Sequence, residues 1–307
     1  MTDHPFEKLE PRGKPPATVR ANEQWIQQAE SKVGIGAGRL GWMVASNVVI
    51  AVLQRIASDD GEPLFLLKGG TYIELRLGVR ARATKDVDTL FRGSFENYLE
   101  TVDRSLAEPF DGITFQRTEP QEINVPGKTV KPQRFQIKLA IRGKTWRSIT
   151  VEVSPNEGNT GAGVERFNVP SLAHFGIHNP ATTAGILMDY QVAQKLHACT
   201  DPHTDEQPND RVRDVVDLHL LKQALYDGVE LSSLATACKD LFNAREAQAR
   251  QTGTVSPRQW PPEIIAHPHW QRNFEIHASE TELNQDLSSA VNELNTWIVD
   301  IDNASGH

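Results

Sequence analysis

The chain has 307 residues, 38% of them hydrophobic and 23% charged, which is enough for one large or two modest domains around a core and excludes a disordered chain. The net charge of −8 opposes nucleic-acid binding over the whole surface, so any contact with nucleic acid must be local. Two cysteines argue against a disulfide framework, and the N-terminus has the pattern of neither a signal peptide nor a transit sequence, so we expect a cytoplasmic protein without a membrane span.

Alternating helix and strand patterns occupy the first half of the chain. Proline-rich and polar residues predict a flexible arm over residues 1–21, and apolar side chains at helical spacing predict a buried helix over residues 39–56. An apolar run at residues 63–67, closed by Gly69 and Gly70, predicts a strand that enters a tight turn. Beyond it, the pattern predicts helices over residues 71–77 and 95–106 and strands over residues 86–91, 113–117, 134–141 and 147–153.

The second half of the chain has mostly helical patterns. A loop rich in glycine, asparagine and threonine at residues 155–163 ends the first pattern. We therefore expect an α+β fold of α/β character, with a mixed-sheet domain over residues 22–165 and a mostly helical domain over residues 166–307. Within the latter, helices are predicted over residues 182–199, 210–226, 230–249 and 280–301.

Two aspartates on one predicted strand are the first candidates for chemistry. Asp86 and Asp88 alternate with apolar residues, so both project from one face and can chelate one site. Adjacent carboxylates repel each other, and a hard cation such as Mg²⁺ removes that penalty while holding phosphate oxygens. If the strand of Glu152 lies beside theirs, three carboxylates converge on two metals, which suits phosphoryl transfer. The alternative is an outward-facing glutamate on a half-exposed strand.

A glycine turn precedes these aspartates. Gly69 and Gly70 allow backbone N–H groups to approach a phosphate, and the helix that follows points its positive end there. Taken alone, a glycine pair is more often an ordinary turn.

A lysine and two aspartates of the helical half form a second set. Lys195 lies between apolar positions, so its ammonium sits near the core and can neutralise a triphosphate, unless it extends to solvent. Asp214 and Asp217 are one helical turn apart and share a face. A salt bridge to Arg211 is the structural alternative.

A basic stretch and several histidines complete the candidates. The stretch contains seven cations and no acid between residues 123 and 151, and it is either a polyanion-binding surface or a solvated hairpin face; its members are Lys128, Lys131, Arg134, Lys138, Arg142, Lys144 and Arg147. A zinc hydrolase is a rival interpretation, but the spacing of the candidate ligands matches no compact zinc pattern; these are His174, His178, His197, His203 and Cys199.

In this order, the motifs resemble those of the AbiEii/MenT toxin family, within the DNA polymerase β-like nucleotidyltransferases. The matching positions are Lys68, Gly69, Gly70 and Thr71, then Arg82, Thr84, Asp86 and Asp88, then Lys195, Leu196 and Ala198, then Arg211, Arg213, Asp214, Asp217 and Leu218. Arg213 replaces a lysine of the family pattern, Gln194 stands where a glutamate often occurs, and Glu152 does not align securely with the family's third acid.

The resemblance implies a nucleotidyltransferase sheet domain that faces a helical domain, with an NTP between them. It implies that Asp86 and Asp88, with Glu152, hold Mg²⁺, and that Lys195 and Asp214 act in catalysis. The nucleotide would be bound by Lys68, Gly69, Gly70, Thr71, Arg82, Thr84, Lys195, Arg211 and Arg213.

The resemblance also implies partners. Family members are toxins paired with a cognate antitoxin, often a winged-helix regulator, and some transfer nucleotides to tRNA 3′ ends. We therefore expect NMP transfer to tRNA, bound along residues 128–147. The alternatives are transfer to a protein hydroxyl and a catalytically silent binding module.

Overall fold

The computed structural model of the protein describes residues 5–78, 84–253 and 256–304. Its helices are α1 (Val19–Val33), α2 (Ala37–Leu53), α3 (Gly69–Leu77), α4 (Tyr98–Ala107), α5 (Met188–Cys199), α6 (Val212–Leu221), α7 (Ser232–Thr252), α8 (Gln271–Glu280) and α9 (Leu287–Asn303). Its strands are β1 (Phe65–Leu67), β2 (Asp86–Phe91), β3 (Ile113–Arg117), β4 (Gln121–Glu122), β5 (Gln133–Ile141), β6 (Lys144–Pro155), β7 (Glu165–Asn168) and β8 (Thr182–Gly185).

The strands form one mixed sheet. Their order is β3-β5-β6-β2-β1-β8-β7, and β4 pairs with β5. β2 runs parallel to β6 and antiparallel to β1, and β1 runs parallel to β8. This mixed sheet followed by helices confirms the predicted α+β fold class.

One face of the sheet packs against helices, and part of the other face is exposed to solvent. α2 is buried along most of its length and packs against β6 and α4. Along β5, buried residues alternate with exposed ones, so that Phe135 and Ile137 face the core while Arg134, Gln136 and Lys138 face solvent. One face of the β3-β5-β6 region is therefore polar and open.

The helical half packs around α5 and α6. α5 contacts α6 and α7, and α6 contacts α8 and α9. One apolar cluster contains buried residues of both halves, among them Val151 of β6 and Leu196 of α5. The core is therefore continuous between the sheet and the helices.

Several predicted elements differ from the structure. The predicted helix over residues 182–199 is wrong at its start, because residues Thr182–Gly185 form β8 and the helix begins only at Met188. The β-branched Thr182 and Thr183 favour a strand, and pairing with β1 and β7 provides the partners that no local pattern reveals. α1 and α8 were not predicted as helices.

The sheet also extends beyond residue 165, where the helical domain was expected to begin. β7 and β8 belong to it, so the wholly helical part starts with α5. At the other end, Phe6 and Leu9 of the predicted arm are buried, and the ring of Phe6 lies 5.5 Å from that of Phe175. The described residues of that segment thus pack on the body of the protein.

In the ranges described, no single helix has both the length and the apolar composition to cross a membrane; α1 and α2 meet that test only as a pair, bent by 115°.

Candidate active site

Three carboxylates meet on one face of the sheet where β2 runs beside β6. Asp88 pairs in register with Glu152, and Asp86 pairs with Thr150. Side chains at paired positions point to the same face, and residues two apart on a strand share it. The condition for the three carboxylates to share a face, that the strand of Glu152 lies beside that of Asp86 and Asp88, is therefore met.

The charges of these carboxylates are unfavourable as they stand. Burial raises the pKa of Asp88 to about 6, with the Lys68 ammonium opposing this shift and the Glu152 carboxylate adding to it. Burial and Glu152 also raise the pKa of Asp86. Both aspartates are therefore suited to a hard divalent cation, which would relieve their repulsion and desolvation.

Glu152 has a partner of its own. Arg134 lies opposite it on β5, and the Arg134 Nε donates to Glu152 Oε1 at 2.8 Å, with the Nη2 group also in contact. In the part of the chain described, no group of three or more His, Cys, Asp or Glu side chains is arranged to hold a metal ion. Asp86, Asp88 and Glu152 thus share one face of the sheet with Glu152 held by Arg134, and among the residues described the alternative zinc ligands form no such group.

The glycine turn at Gly69 and Gly70 is hydrogen-bonded to β2, the strand of Asp86 and Asp88. The Lys68 N–H donates to the carbonyl of Asp88 at 3.0 Å, and the Thr71 hydroxyl donates to the carbonyl of Asp86 at 2.6 Å. Gly69 has a φ of 64°, and a Cβ there would lie 2.2 Å from Asp88 Oδ2. Position 69 therefore needs glycine for both its conformation and its contact with Asp88.

A residue that the sequence analysis did not single out occupies part of this turn. The Gly69 N–H donates to Oε1 of Gln191, on α5, at 3.0 Å. The first N–H groups of a helix have no partner within it, so those of Gly70 and Thr71 are the ones left to approach a phosphate.

Thr84 lies behind the aspartates. It is buried; its N–H donates to Glu74 Oε2 at 3.4 Å and its carbonyl accepts from Arg39 Nη1 at 2.6 Å. Arg39 also pairs with Glu74. These bonds anchor the start of β2. Arg82, predicted to bind nucleotide, lies outside the described residues.

The predicted lysine and aspartates of the helical half form an ion-pair triad. Lys195 Nζ is 2.6 Å from Asp214 Oδ1 and 2.8 Å from Asp217 Oδ2. The side chain of Asp217 is 1% exposed and that of Asp214 is 14% exposed. Asp217 therefore anchors the lysine in the core, and Asp214 is the member that faces outward.

The side chains of the two predicted arginines point in different directions, because they occupy nearby positions at the beginning of α6 that lie on different faces of the helix. Arg211 Nε is 3.3 Å from Asp201 Oδ2, whereas Arg213 Nε is 3.2 Å from His277 Nε2 of α8. A cavity of about 630 Å³ opens beside them, lined by Asp210, Arg211, Val212, Arg213, Asp214, Asn273, Ile276 and His277. Asp214 thus borders an open space.

Arg245 and Glu157, which the sequence did not predict as site residues, form a charged cluster with Lys128 of the basic stretch. Glu157, which is 5% exposed, accepts hydrogen bonds from Lys128 and from Arg245 Nη2, the latter at 2.9 Å. Arg245 Nη1 lies 3.0 Å from His197 Nδ1, and burial lowers the pKa of His197, so this imidazole is neutral and accepts.

The same cluster includes Lys68. Burial lowers the pKa of Lys68, Asp88 opposes that shift, and Arg245 adds to it. Burial likewise lowers the pKa of Arg245 to about 10. Burial also lowers the pKa of Lys128, to about 6, so these three desolvated basic groups would be held in their protonated form by a polyanionic ligand.

A mixed sheet with an Asp-x-Asp strand against a glycine turn, followed by helices that hold a buried lysine, is the arrangement that the resemblance to nucleotidyltransferases implies. The family model described as "Nucleotidyl transferase AbiEii toxin, Type IV TA system" matches residues 51–296. The chain belongs to this family of nucleotidyltransferase toxins. Membership implies an NTP substrate and a cognate antitoxin.

A solved structure has a similar fold. It is MenT4, the nucleotidyltransferase toxin Rv2826c from Mycobacterium tuberculosis H37Rv, with a TM-score of 0.51 and 14% sequence identity over 92% of this chain and 99% of that chain. At this identity the likeness supports the fold alone. No curated protein sequence matches the chain.

Proposed function

We propose that the protein transfers a nucleoside monophosphate from an NTP to a hydroxyl at the 3′ end of tRNA. The observation that carries the proposal is the contact between Asp88 and the Gly69 turn, because it joins a cation-binding carboxylate to a phosphate-binding helix start. In this reaction the acceptor oxygen bonds to the α-phosphorus, the bond to the β-phosphate breaks, and pyrophosphate leaves.

Asp86 and Asp88 are the residues proposed to hold Mg²⁺. The cation would neutralise charge on the phosphates and the leaving pyrophosphate. Glu152 is proposed as a third donor only if Arg134 releases it, since the two side chains are paired.

The triphosphate is proposed to bind at the glycine turn and the charged cluster. The N–H groups of Gly70 and Thr71 point from the start of α3, and Lys68 extends the site toward Lys128 and Arg245. Partly desolvated cations bind phosphate more strongly than solvated ones because the local dielectric is low.

Lys195 and Asp214 are proposed to act at the acceptor side. Asp217 fixes Lys195, which leaves Asp214 at the cavity, where it can accept the proton of the attacking hydroxyl. Arg211 and Arg213 border the same cavity and are proposed to contact phosphates there.

The acceptor RNA is proposed to lie on the open sheet face rather than along the whole basic stretch. Arg134 and Lys138 are exposed there, in line with Glu152. Arg147 instead pairs with Glu23, and Lys128 pairs with Glu157. The surface is local, as the net charge of −8 requires.

The test is labelling with each α-³²P NTP in turn, with Mg²⁺ and total RNA, by the wild type and by Asp88→Asn. Label on a tRNA-sized band that disappears with Asp88→Asn supports the proposal. Label on protein alone indicates protein modification, and no transfer with any NTP indicates a silent binding module; either result contradicts it.

A further inference from the structure

A buried glutamine links the helical half to the phosphate-binding turn. Gln191 lies on α5 and is 1% exposed. Its Oε1 accepts the Gly69 N–H at 3.0 Å. Because Gly69 has a φ of 64° and touches Asp88, this bond fixes the peptide that separates the aspartate from the start of α3.

The other end of the same amide has no acceptor. Gln191 Nε2 is buried, and no atom in the described ranges accepts a hydrogen bond from it. A side-chain amide nitrogen carries two N–H donors, and a buried donor without an acceptor is destabilising. Since Nε2 and Oε1 share one carbon, the unsatisfied donor lies beside the glycine turn. A ligand bound at the turn would be within reach of this donor.

The position of Gln191 on α5 relates it to the lysine of the triad. Gln191 and Lys195 are four residues apart and lie on one face of the helix. Lys195 holds Asp214 and Asp217, and Gln191 holds Gly69 one turn earlier. α5 thus sets the distance between the triad and the glycine turn.

We propose that Gln191 is a nucleotide-binding residue that positions the Gly69 turn through Oε1 and donates from Nε2 to a phosphate oxygen of the NTP. The proposal deepens the proposed function and rests on its placement of the triphosphate. A phosphate oxygen is the acceptor that fits, because the first N–H groups of α3 have no partner within the helix and Lys68, the residue before Gly69, carries a desolvated ammonium near Asp88.

Two variants separate the roles of the two amide atoms. Gln191→Glu keeps an oxygen for the Gly69 N–H and replaces the donor with a second acceptor. Gln191→Leu removes both functions at similar size. Gln27→Leu, on an exposed position of α1, is the matched control.

The experiment measures the dissociation constants of the α,β-imido analogues of ATP, GTP, CTP and UTP with Mg²⁺, together with the melting temperature of each variant. We expect both Gln191 variants to weaken binding of the preferred analogue by about tenfold or more, the value of one hydrogen bond to a charged group. Gln191→Glu should also lower the melting temperature, because it places a second desolvated carboxylate near Asp88, and Gln27→Leu should bind and melt like the wild type.

The outcomes distinguish this inference from the proposed function. Wild-type affinity in Gln191→Glu overturns the donor role of Nε2, and a lowered melting temperature with unchanged affinity in both variants overturns the inference as a whole. Weakened binding in both variants upholds it, even if the wild type transfers no label to RNA, a result that contradicts only the proposed reaction. A wild type that binds none of the four analogues contradicts both.

Discussion

The carboxylate of Asp88 occupies the space that a side chain at position 69 would need. A Cβ on Gly69 would lie 2.2 Å from Asp88 Oδ2 and 2.9 Å from Asp88 Cβ. The turn and the aspartate strand can approach this closely only because residue 69 has no side chain, so one glycine sets the distance between the Asp88 carboxylate and the start of α3.

Gly69→Ala is therefore expected to abolish most of the transfer activity. The added methyl must displace Asp88 and also strains a backbone with a positive φ, which costs about 1–3 kcal/mol. A displacement of about 1 Å at such a site lowers the rate on the order of 100-fold. Label incorporation and thermal unfolding measure both effects.

Gly38→Ala serves as the control for this variant, because a Cβ at position 38 of α2 meets no atom within 4 Å. It should keep wild-type activity. Equal activities of Gly69→Ala and Gly38→Ala would mean that the Asp88 contact has no role in the reaction.

The triad predicts a division between stability and activity. Asp217→Asn should lower the free energy of unfolding by about 3 kcal/mol, because it breaks an ion pair whose carboxylate is 1% exposed. Asp214→Asn should lower the free energy of unfolding by only about 1–2 kcal/mol, since that side chain is 14% exposed. It should nevertheless lower the transfer activity more than Asp217→Asn does, because Asp214 borders the cavity. Urea unfolding and single-turnover labelling test the division, and the reverse order in both measurements would contradict it.

The raised pKa of Asp88 predicts how stability depends on pH without metal. The folded pKa of about 6 exceeds the ordinary value of 3.8, so between these values the folded state binds a proton that the unfolded state has released. Stability therefore falls as pH rises through this window, by on the order of 2–3 kcal/mol in total. Asp88→Asn should show no such loss and should be more stable than the wild type at pH 7 in EDTA.

Unfolding in urea at pH 4, 5, 6 and 7 measures this difference. The gap between Asp88→Asn and the wild type should be small at pH 4 and largest at pH 7. The exposed Asp59→Asn is the control. A gap that does not change with pH would contradict burial as the source of the shift.

Glu152 and Asp88 are expected to respond differently to substitution. Because Arg134 already pairs with Glu152, Glu152→Gln removes an ion pair rather than a principal cation ligand, and transfer should fall about tenfold. Asp88→Asn should leave no measurable Mg²⁺-dependent transfer. A titration of activity with Mg²⁺ compares them, and an equally complete loss in Glu152→Gln would make Glu152 the third ligand.

The local sequence pattern was sufficient to predict the strand that carries Asp86 and Asp88, but not every other strand of the sheet. Residues 86–91 form β2 as predicted, because Asp-x-Asp alternates with apolar residues in a pattern typical of strands. Residues 182–185 were predicted as helix, since their strand character depends on pairing with β1 and β7, which are distant in sequence. Pairing of this kind has no local signal.

The same limit applies to the candidate site. Asp88 and Lys195 stand in recognisable motifs, whereas Gln191 and Arg245 look in sequence like ordinary helical polar residues. Their partners, Gly69 and Glu157, lie 122 and 88 positions away. Only the fold brings these pairs together.

Arg245 gives the last prediction, since α7 offers a second arginine for comparison. Arg245, whose side chain is 18% exposed, pairs with Glu157, while Arg250, five residues later, is 62% exposed and pairs with Glu246. If the cluster of Lys68, Lys128 and Arg245 binds the triphosphate, Arg245→Met should raise the KM for the NTP about tenfold, as expected for the loss of one charge-assisted contact, with a smaller change in kcat. Arg250→Met should change neither constant. Steady-state labelling over a range of NTP concentrations measures both constants. A fall in kcat alone for Arg245→Met would contradict a role in binding the NTP and would indicate that Arg245 stabilises the transition state.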